Sequence, residues 1–500
     1  KQETIENPDY IIEAEDLCIA PGFIDAHSHG DFCIGNMHNS LSKVSQGITS
    51  QVTGVCGSSV FPLNNEMFSE LKEELTPSFL LKQIHSFPDF KSYLQYAKSI
   101  SMVENTAFFV GHNNLRRIVM GNDNRKPAFK ELEEMKDMLN EAMEMGALGL
   151  SSGLIYIPGA YSDIEEMVSL CEIVAGYDGI YVTHMRNEAD RIISSVRESI
   201  EVARRSGCRL NISHLKICGI KNHGIAKKVL NLIYDARREG IILAVDQYPY
   251  EASATGLASC IPPGYFAQGT EKLIHQLQDP AVRQAIKEEM CSLNTDFENI
   301  YLGCGGFGGI MIGYCDDVPD CTGKFIDEYA KEKGADPFDI FFDLLISSKG
   351  EASAIYFDIN REDILDIIKD KTIMVGTDGA STSSEEYNHP RTYGTFTRVL
   401  GRYGRDMKVL PIQSIIYKMT GLTAHNMGFD TKGIIAHGMD ADLVIFNLNT
   451  VIDNSDFINP CKLSSGIEYV IVDGKIVYKD GKLTGRTPGK IIQIHKKKGR

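Results

Sequence analysis

The chain of 500 residues is 43% hydrophobic and 24% charged, the balance of a globular protein and not of a disordered or fibrous one. Fifty-one basic against 67 acidic side chains leave a net charge of −16, which argues against nucleic acid as a partner. No apolar run reaches the roughly eighteen residues of a membrane span, the opening KQETIENPDY lacks the pattern of a secretory leader, and the 12 cysteines include no CxxC pair, so free thiols and a cytoplasmic location are expected.

Short apolar runs rich in branched residues, each stopped by a polar or glycine cluster, predict strands at 23–29, 48–55, 106–112 and 148–153. Four more follow at 180–186, 210–216, 241–248 and 372–379. Apolar positions at three- and four-residue spacing predict helices between them at 128–145, 163–175, 188–206 and 224–239. Strand–helix alternation argues for a parallel sheet, and eight strands argue for an α/β protein built on a closed (β/α)8 barrel over residues 23–430. Periodicity alone leaves a doubly wound sheet open. Residues 262–353 are too many for one crossover; with helix patterns at 271–292, 324–333 and 337–347 around the glycine-rich 303–314, they read as an inserted lid made mobile by its glycines. From 431 to 500 the pattern changes to short strands, with VDGK and KDGK as hairpin signals, predicting a small β domain. Only the terminal HKKKGR forms a basic cluster.

The residues that carry chemistry gather at predicted strand ends. His27 and His29 lie two apart on the first strand and therefore project from one face. His184 and His214 end the fifth and sixth strands, one βα unit apart, and Asp378 follows the eighth. Barrel strands converge at their C-terminal ends, so four imidazoles and a carboxylate there form a zinc-type ligand set. Cys56, after the second strand, falls at the same level; Cys33, Cys218 and Cys260 are alternatives. Arg391 suits a carboxylate in two-point contact. Tyr156 is a plausible pocket wall.

PGFIDAHSHGD resembles the first-strand signature of the amidohydrolase superfamily. TGVCGSS, GALGLSSGLIYIPGAY, THMRNE, ISHLK, DQYPYEASATGL, GTDG, HPRTYGTF and GMDADLVIF, in that order, resemble its N-acyl-D-amino-acid deacylase (D-aminoacylase) branch. The resemblance implies zinc-dependent hydrolysis of an N-acyl-D-amino acid, a small-molecule substrate, to a carboxylic acid and a free D-amino acid. It implies one tightly held zinc on Cys56, His184 and His214, and a second, weaker position on His27, His29 and Asp378. Asp378 becomes the general base and then acid, Arg391 and Tyr248 bind the α-carboxylate, and Lys216 lies near the substrate. Lys216 also points to acceptance of polar or acidic side chains. The bridging lysine that other amidohydrolases carry on the fourth strand is absent from LGLSSG, which fits Cys56 in its place. Two departures stand out. Ala254 occupies a position that is often serine, and the family usually opens with further β-strands, so residues 1–22 read as the remnant of a truncated small β domain. Alternatives on the same barrel are a D-dipeptidase and a cyclic-amide hydrolase; a metal-free scaffold is a third, of a different class. Oligomeric state is not legible.

Overall fold

The computed structural model describes residues 10–74, 86–315, 317–380 and 389–494. The eight expected strands form the barrel wall: Phe23–Asp25, Ile48–Thr53, Asn105–Phe108 continued by Val110–Gly111, Gly149–Gly153, Ile180–His184, Arg209–Ile212, Leu243–Gln247 and Met374–Val375. Each pairs in parallel with its successor from the first to the third strand and from the continued third to the eighth. The eighth closes on the first through the Ala26 N–H, which donates to the Val375 carbonyl at 3.2 Å, and a parallel bridge between Ser28 and Gly379. Every residue of the second, fourth, fifth and seventh strands is buried, which is why they read as apolar runs without alternation.

Inside the barrel Ile24, Ala26, Val52, Ala107, Leu148, Val182, Ala244 and Met374 pack together. Outside it, helices present an apolar face to the strands. Ile192–Ser206 buries Ile192, Val196, Ile200 and Ala203, and Ala226–Arg238 buries Val229, Leu230 and Ile233; each such branched side chain contributes about 1.5–3 kcal/mol. Local signals set the helix ends. Asp163 caps Ile164–Gly176 by accepting the Glu166 N–H, and Gly207 stops Ile192–Ser206 in the left-handed region at φ 75°.

The insert departs from its expected bounds. A three-stranded antiparallel sheet, ordered Ser253–Gly256, Ser353–Tyr356, Ile310–Tyr314, begins soon after the seventh strand and ends just before the chain returns to the barrel. SATG is too short and polar to read as a strand. Part of the glycine-rich segment is a strand, with Ile310 and Ile312 fully buried in the insert's own core with Phe307, Phe341 and Tyr356. Gly309 serves close approach, since a Cβ there would stand 2.3 Å from the Cys304 carbonyl oxygen, whereas Gly305 and Gly306 take φ of 72° and 102°. The expected helix at 271–292 is two helices, Thr270–Gln276 and Pro280–Met290, separated where Asp279 caps and Pro280 opens the second.

Cys18–Pro21 pairs with Leu443–Phe446 and begins a five-stranded sheet completed by Ile467–Val472, Lys475–Lys479 and Lys482–Leu483. Asp473-Gly474 and Asp480-Gly481 make its turns with positive φ, as their sequence requires. The chain then leaves this sheet. Residues 488–494 lie against the barrel, where Thr106 N–H donates to the Lys490 carbonyl and Ile492 N–H to that of Thr106. The stretch read as C-terminal domain is thus partly barrel packing. The basic cluster at 495–500 lies outside the described residues, as do 1–9. Among the described residues no helix is long and apolar enough to cross a membrane.

Candidate active site

The barrel brings His27, His29, Cys56, His184, His214 and Asp378 to one mouth. The Cys56 Sγ lies 3.3 Å from Nε2 of His27 and 3.3 Å from Nε2 of His214. Asp378 Oδ1 is 3.3 Å from His27 Nε2 and 3.1 Å from that of His29. His184 stacks edge-on against His214, 4.5 Å between ring centres. Two sets of donor atoms converge closely enough to share an ion: His27, Cys56, His214 and Asp378, and His184, Glu188 and His214. Neither ring nitrogen of His184 has a hydrogen-bond partner among the described residues. A thiol, imidazoles and a carboxylate, buried and converging, fit a borderline-soft divalent metal such as zinc.

Backbone strain marks the same positions. Cys56, His214 and Asp378 are non-glycine residues with φ of 53°, 32° and 49°, conformations that persist where the surroundings hold them. The His214 N–H donates to Asp246 Oδ1 at 2.8 Å and the Asp378 N–H to the His27 carbonyl at 2.8 Å. The fourth strand supplies no ligand. A Cβ on Gly153 at its end would stand 2.1 Å from the Cys56 carbonyl oxygen, so the loop carrying the thiol fills the space a side chain would need.

Electrostatics reinforce the arrangement. Burial pushes the Cys56 thiol up, but His27 and His214 override it and hold the thiol well below its usual range. Burial likewise opposes ionisation of Asp378, and Arg391, with Nη1 2.7 Å from Asp378 Oδ2, and the neighbouring imidazoles hold it far below the ordinary carboxylate range. Tyr248 is buried with its hydroxyl unpartnered among the described residues, its ring 4.9 Å from the Arg391 guanidinium. Tyr156 meets Thr255 of the insert at 3.2 Å and packs edge-on against His184. Arg391 Nη2 donates to the Ala254 carbonyl at 3.3 Å, so this alanine contributes through its backbone.

Several neighbours lack an individual sequence signal. Glu188 accepts from Lys216 at 2.5 Å and lies 3.2 Å from His214 Nδ1; burial opposes its ionisation, yet Lys216 and the histidines hold it down to about 2. Asp246 stands 3.5 Å from His27 Nδ1. Glu298 comes from the insert and accepts the Glu188 N–H at 2.5 Å; burial, then the Glu188 charge, push it up to about 8. Asp358 is pushed up to about 6 by burial. Glu188, four residues after His184, and Asp246, a lone acid in an apolar strand, were detectable in principle. Glu298 was not. Of the alternative thiols, Cys218 lines the cavity but is in neither convergent set; Cys33 and Cys260 are buried elsewhere. The cavity measures about 440 Å³ and is also lined by Asn113, Arg117, Ile300 and Tyr356.

Residues 306–478 match the model of the amidohydrolase family. The D-aminoacylase of Alcaligenes xylosoxydans xylosoxydans is 32% identical over 96% of this chain and 88% of its own length. The N-acyl-D-aspartate deacylase of the same organism is also 32% identical, over 96% and 86%. The solved N-acyl-D-glutamate deacylase of Bordetella bronchiseptica, complexed with zinc and a phosphonate inhibitor, superposes with a TM-score of 0.79 at 30% identity, covering 96% of this chain and 90% of that one. The chain belongs to the amidohydrolase family, within its D-aminoacylase branch.

Proposed function

We propose that the protein hydrolyses the amide bond of N-acyl-D-amino acids with zinc at the barrel mouth. The observation that carries this reading is the buried Cys56 thiol set among imidazoles, beside an Asp378 that is paired with Arg391. Cys56, His184 and His214 would hold the tight ion, and His27, His29 and Asp378 a weaker second one. The metal, when bound, supplies Lewis-acid polarisation of the amide carbonyl and a more acidic water. Arg391 and the Tyr248 hydroxyl, unpartnered among the described residues, bind the α-carboxylate. As that carboxylate engages Arg391, Asp378 loses part of the charge that suppresses its basicity. Asp378 then takes the proton of the attacking water and returns it to the leaving nitrogen, which an amide requires because the amine anion is a very poor leaving group. Asp246 and Glu188 position His27 and His214.

A cyclic-amide hydrolase would call for the fourth-strand lysine, and Ser151, Ser152 and the crowded Gly153 stand there instead. A metal-free scaffold would have lost ligands, and the full set is present. The test is Asp378→Asn, which keeps shape and loses basicity. Turnover should fall by about 10² to 10⁴ with the tight metal retained; more than about a third of wild-type activity contradicts the role.

A further inference from the structure

We propose that the stretch of cavity wall formed by Asp358 and Glu298 receives a cationic group of the substrate, an alkylammonium or guanidinium. The inference rests on the deacylase reading and adds its substrate class. Lys216, the ammonium that seemed available for an acidic side chain, is committed: its Nζ lies 2.5 Å from Glu188 Oε2 and 2.7 Å from His214 Nδ1. Asp358 is 3% exposed, lines the cavity, and its Oδ1 has no partner among the described residues. Glu298, 8% exposed, lines the cavity beside it and receives the Glu188 N–H through one oxygen. Glu188, Glu298, Asp358 and Lys216 all lie within electrostatic reach of Cys218, three carboxyls against one ammonium, and Ile300 and Tyr356 also line the cavity. A buried carboxylate oxygen without a donor, as Asp358 Oδ1 is among the described residues, is costly in such surroundings, and a cation supplies the donor in its strongest form. An acidic side chain would meet like charge, and a leucine side chain would leave Asp358 unsatisfied. Of the other cations of the cavity wall, Arg391 is paired with Asp378 and Arg117 has Glu66 within electrostatic reach.

The cation has two possible carriers. It belongs either to the side chain of the D-amino acid, as in lysine or arginine, or to the free α-amino group of an aminoacyl half, as in a dipeptide ending in a D-residue. The zinc-loaded full chain should be assayed on N-acetyl-D-lysine, glycyl-D-leucine, N-acetyl-D-leucine and N-acetyl-D-glutamate. The expected result is a kcat/KM at least about tenfold higher for one cationic substrate than for N-acetyl-D-leucine, with the glutamate slowest. Preference for the lysine places the cation on the amine half, and preference for glycyl-D-leucine on the acyl half. Asp358→Asn and Glu298→Gln should each lower the cationic-to-neutral ratio at least about fivefold, a ratio that does not depend on how much of each variant folds. Hydrolysis of N-acetyl-D-leucine or N-acetyl-D-glutamate as fast as the better of the two cationic substrates overturns this inference alone, as does an unchanged ratio in both variants. No hydrolysis of any of the four overturns the deacylase reading and this inference with it.

Discussion

Lys43→Met tests how the barrel holds its first and eighth strands in register at the site. Lys43, on the short helix Leu41–Val44, is fully buried. Its Nζ donates to Asp25 Oδ2 at 3.0 Å, Thr377 Oγ1 at 2.8 Å and the Gly379 carbonyl at 2.9 Å. Asp25 also accepts from the Thr377 N–H at 2.8 Å and its hydroxyl at 2.6 Å, and from the His27 N–H at 3.2 Å. Methionine fills the stem's volume but leaves Asp25 with neutral donors only. Breaking a buried pair from one side costs about 3–5 kcal/mol because the remaining charge is uncompensated. The double variant with Asp25→Asn buries no charge, so it should recover at least about half of that loss, the remainder being imperfect amide hydrogen bonds of about 1–2 kcal/mol. The chain has no tryptophan, so urea unfolding is best followed by far-UV circular dichroism. A loss below about 1 kcal/mol in the single variant, or a double variant no more stable than the single, would refute the argument.

Cys56→Ala should remove most of the tightly held zinc found by elemental analysis after dialysis, whereas His27→Ala should retain it; unchanged zinc in the Cys56 variant would contradict the assignment. Lys418 offers a pH test away from the site. Burial holds its amine down to about 7, and it donates to the carbonyls of Ile368 and Asp370. The unfolded chain keeps that proton to about pH 10.4, so between pH 7 and about 10 the unfolded state binds more protons and stability rises with pH. The slope should approach about 1.4 kcal/mol per pH unit, and Lys418→Met should flatten it; equal slopes in both proteins would rule the effect out. Gly153→Ala, whose Cβ meets the Cys56 carbonyl oxygen at 2.1 Å, should lower zinc retention as well as stability; normal zinc binding in a folded variant would contradict the close approach.

The barrel was legible because its strands are buried on both faces and each ends at a polar or glycine stop, as in IYVTH and LNISH. The same stops located His184, His214 and Asp378. What the sequence could not convey is conformation and long-range placement. Nothing local says that Cys56, His214 and Asp378 take positive φ; the N–H groups of His214 and Asp378 are held there by donating to Asp246 and to the His27 carbonyl. The insert's sheet escaped notice because Ser253–Gly256 is four residues of weak strand character, paired with a segment that follows it by about a hundred residues. Glu298 reaches the site through that tertiary arrangement alone. Lys216 shows the reverse case. Its position beside His214 was clear, but its partner Glu188 lies on another loop, and the pairing changes what the lysine can bind.

Stereospecific deacylation is tested most directly by kcat/KM of the purified zinc-loaded protein on matched N-acetyl-D- and N-acetyl-L-amino acids. If Arg391 and Tyr248 fix the carboxylate and the metal site fixes the carbonyl, as proposed, the side chain and hydrogen of the α-carbon must exchange places between enantiomers. The relatives act on D-amino acids, so at least about tenfold preference for the D-series is expected, about 1.4 kcal/mol in the transition state, reduced by Arg391→Met together with a strong rise in KM. Equal rates on both enantiomers, with zinc bound and the chain folded, would contradict it.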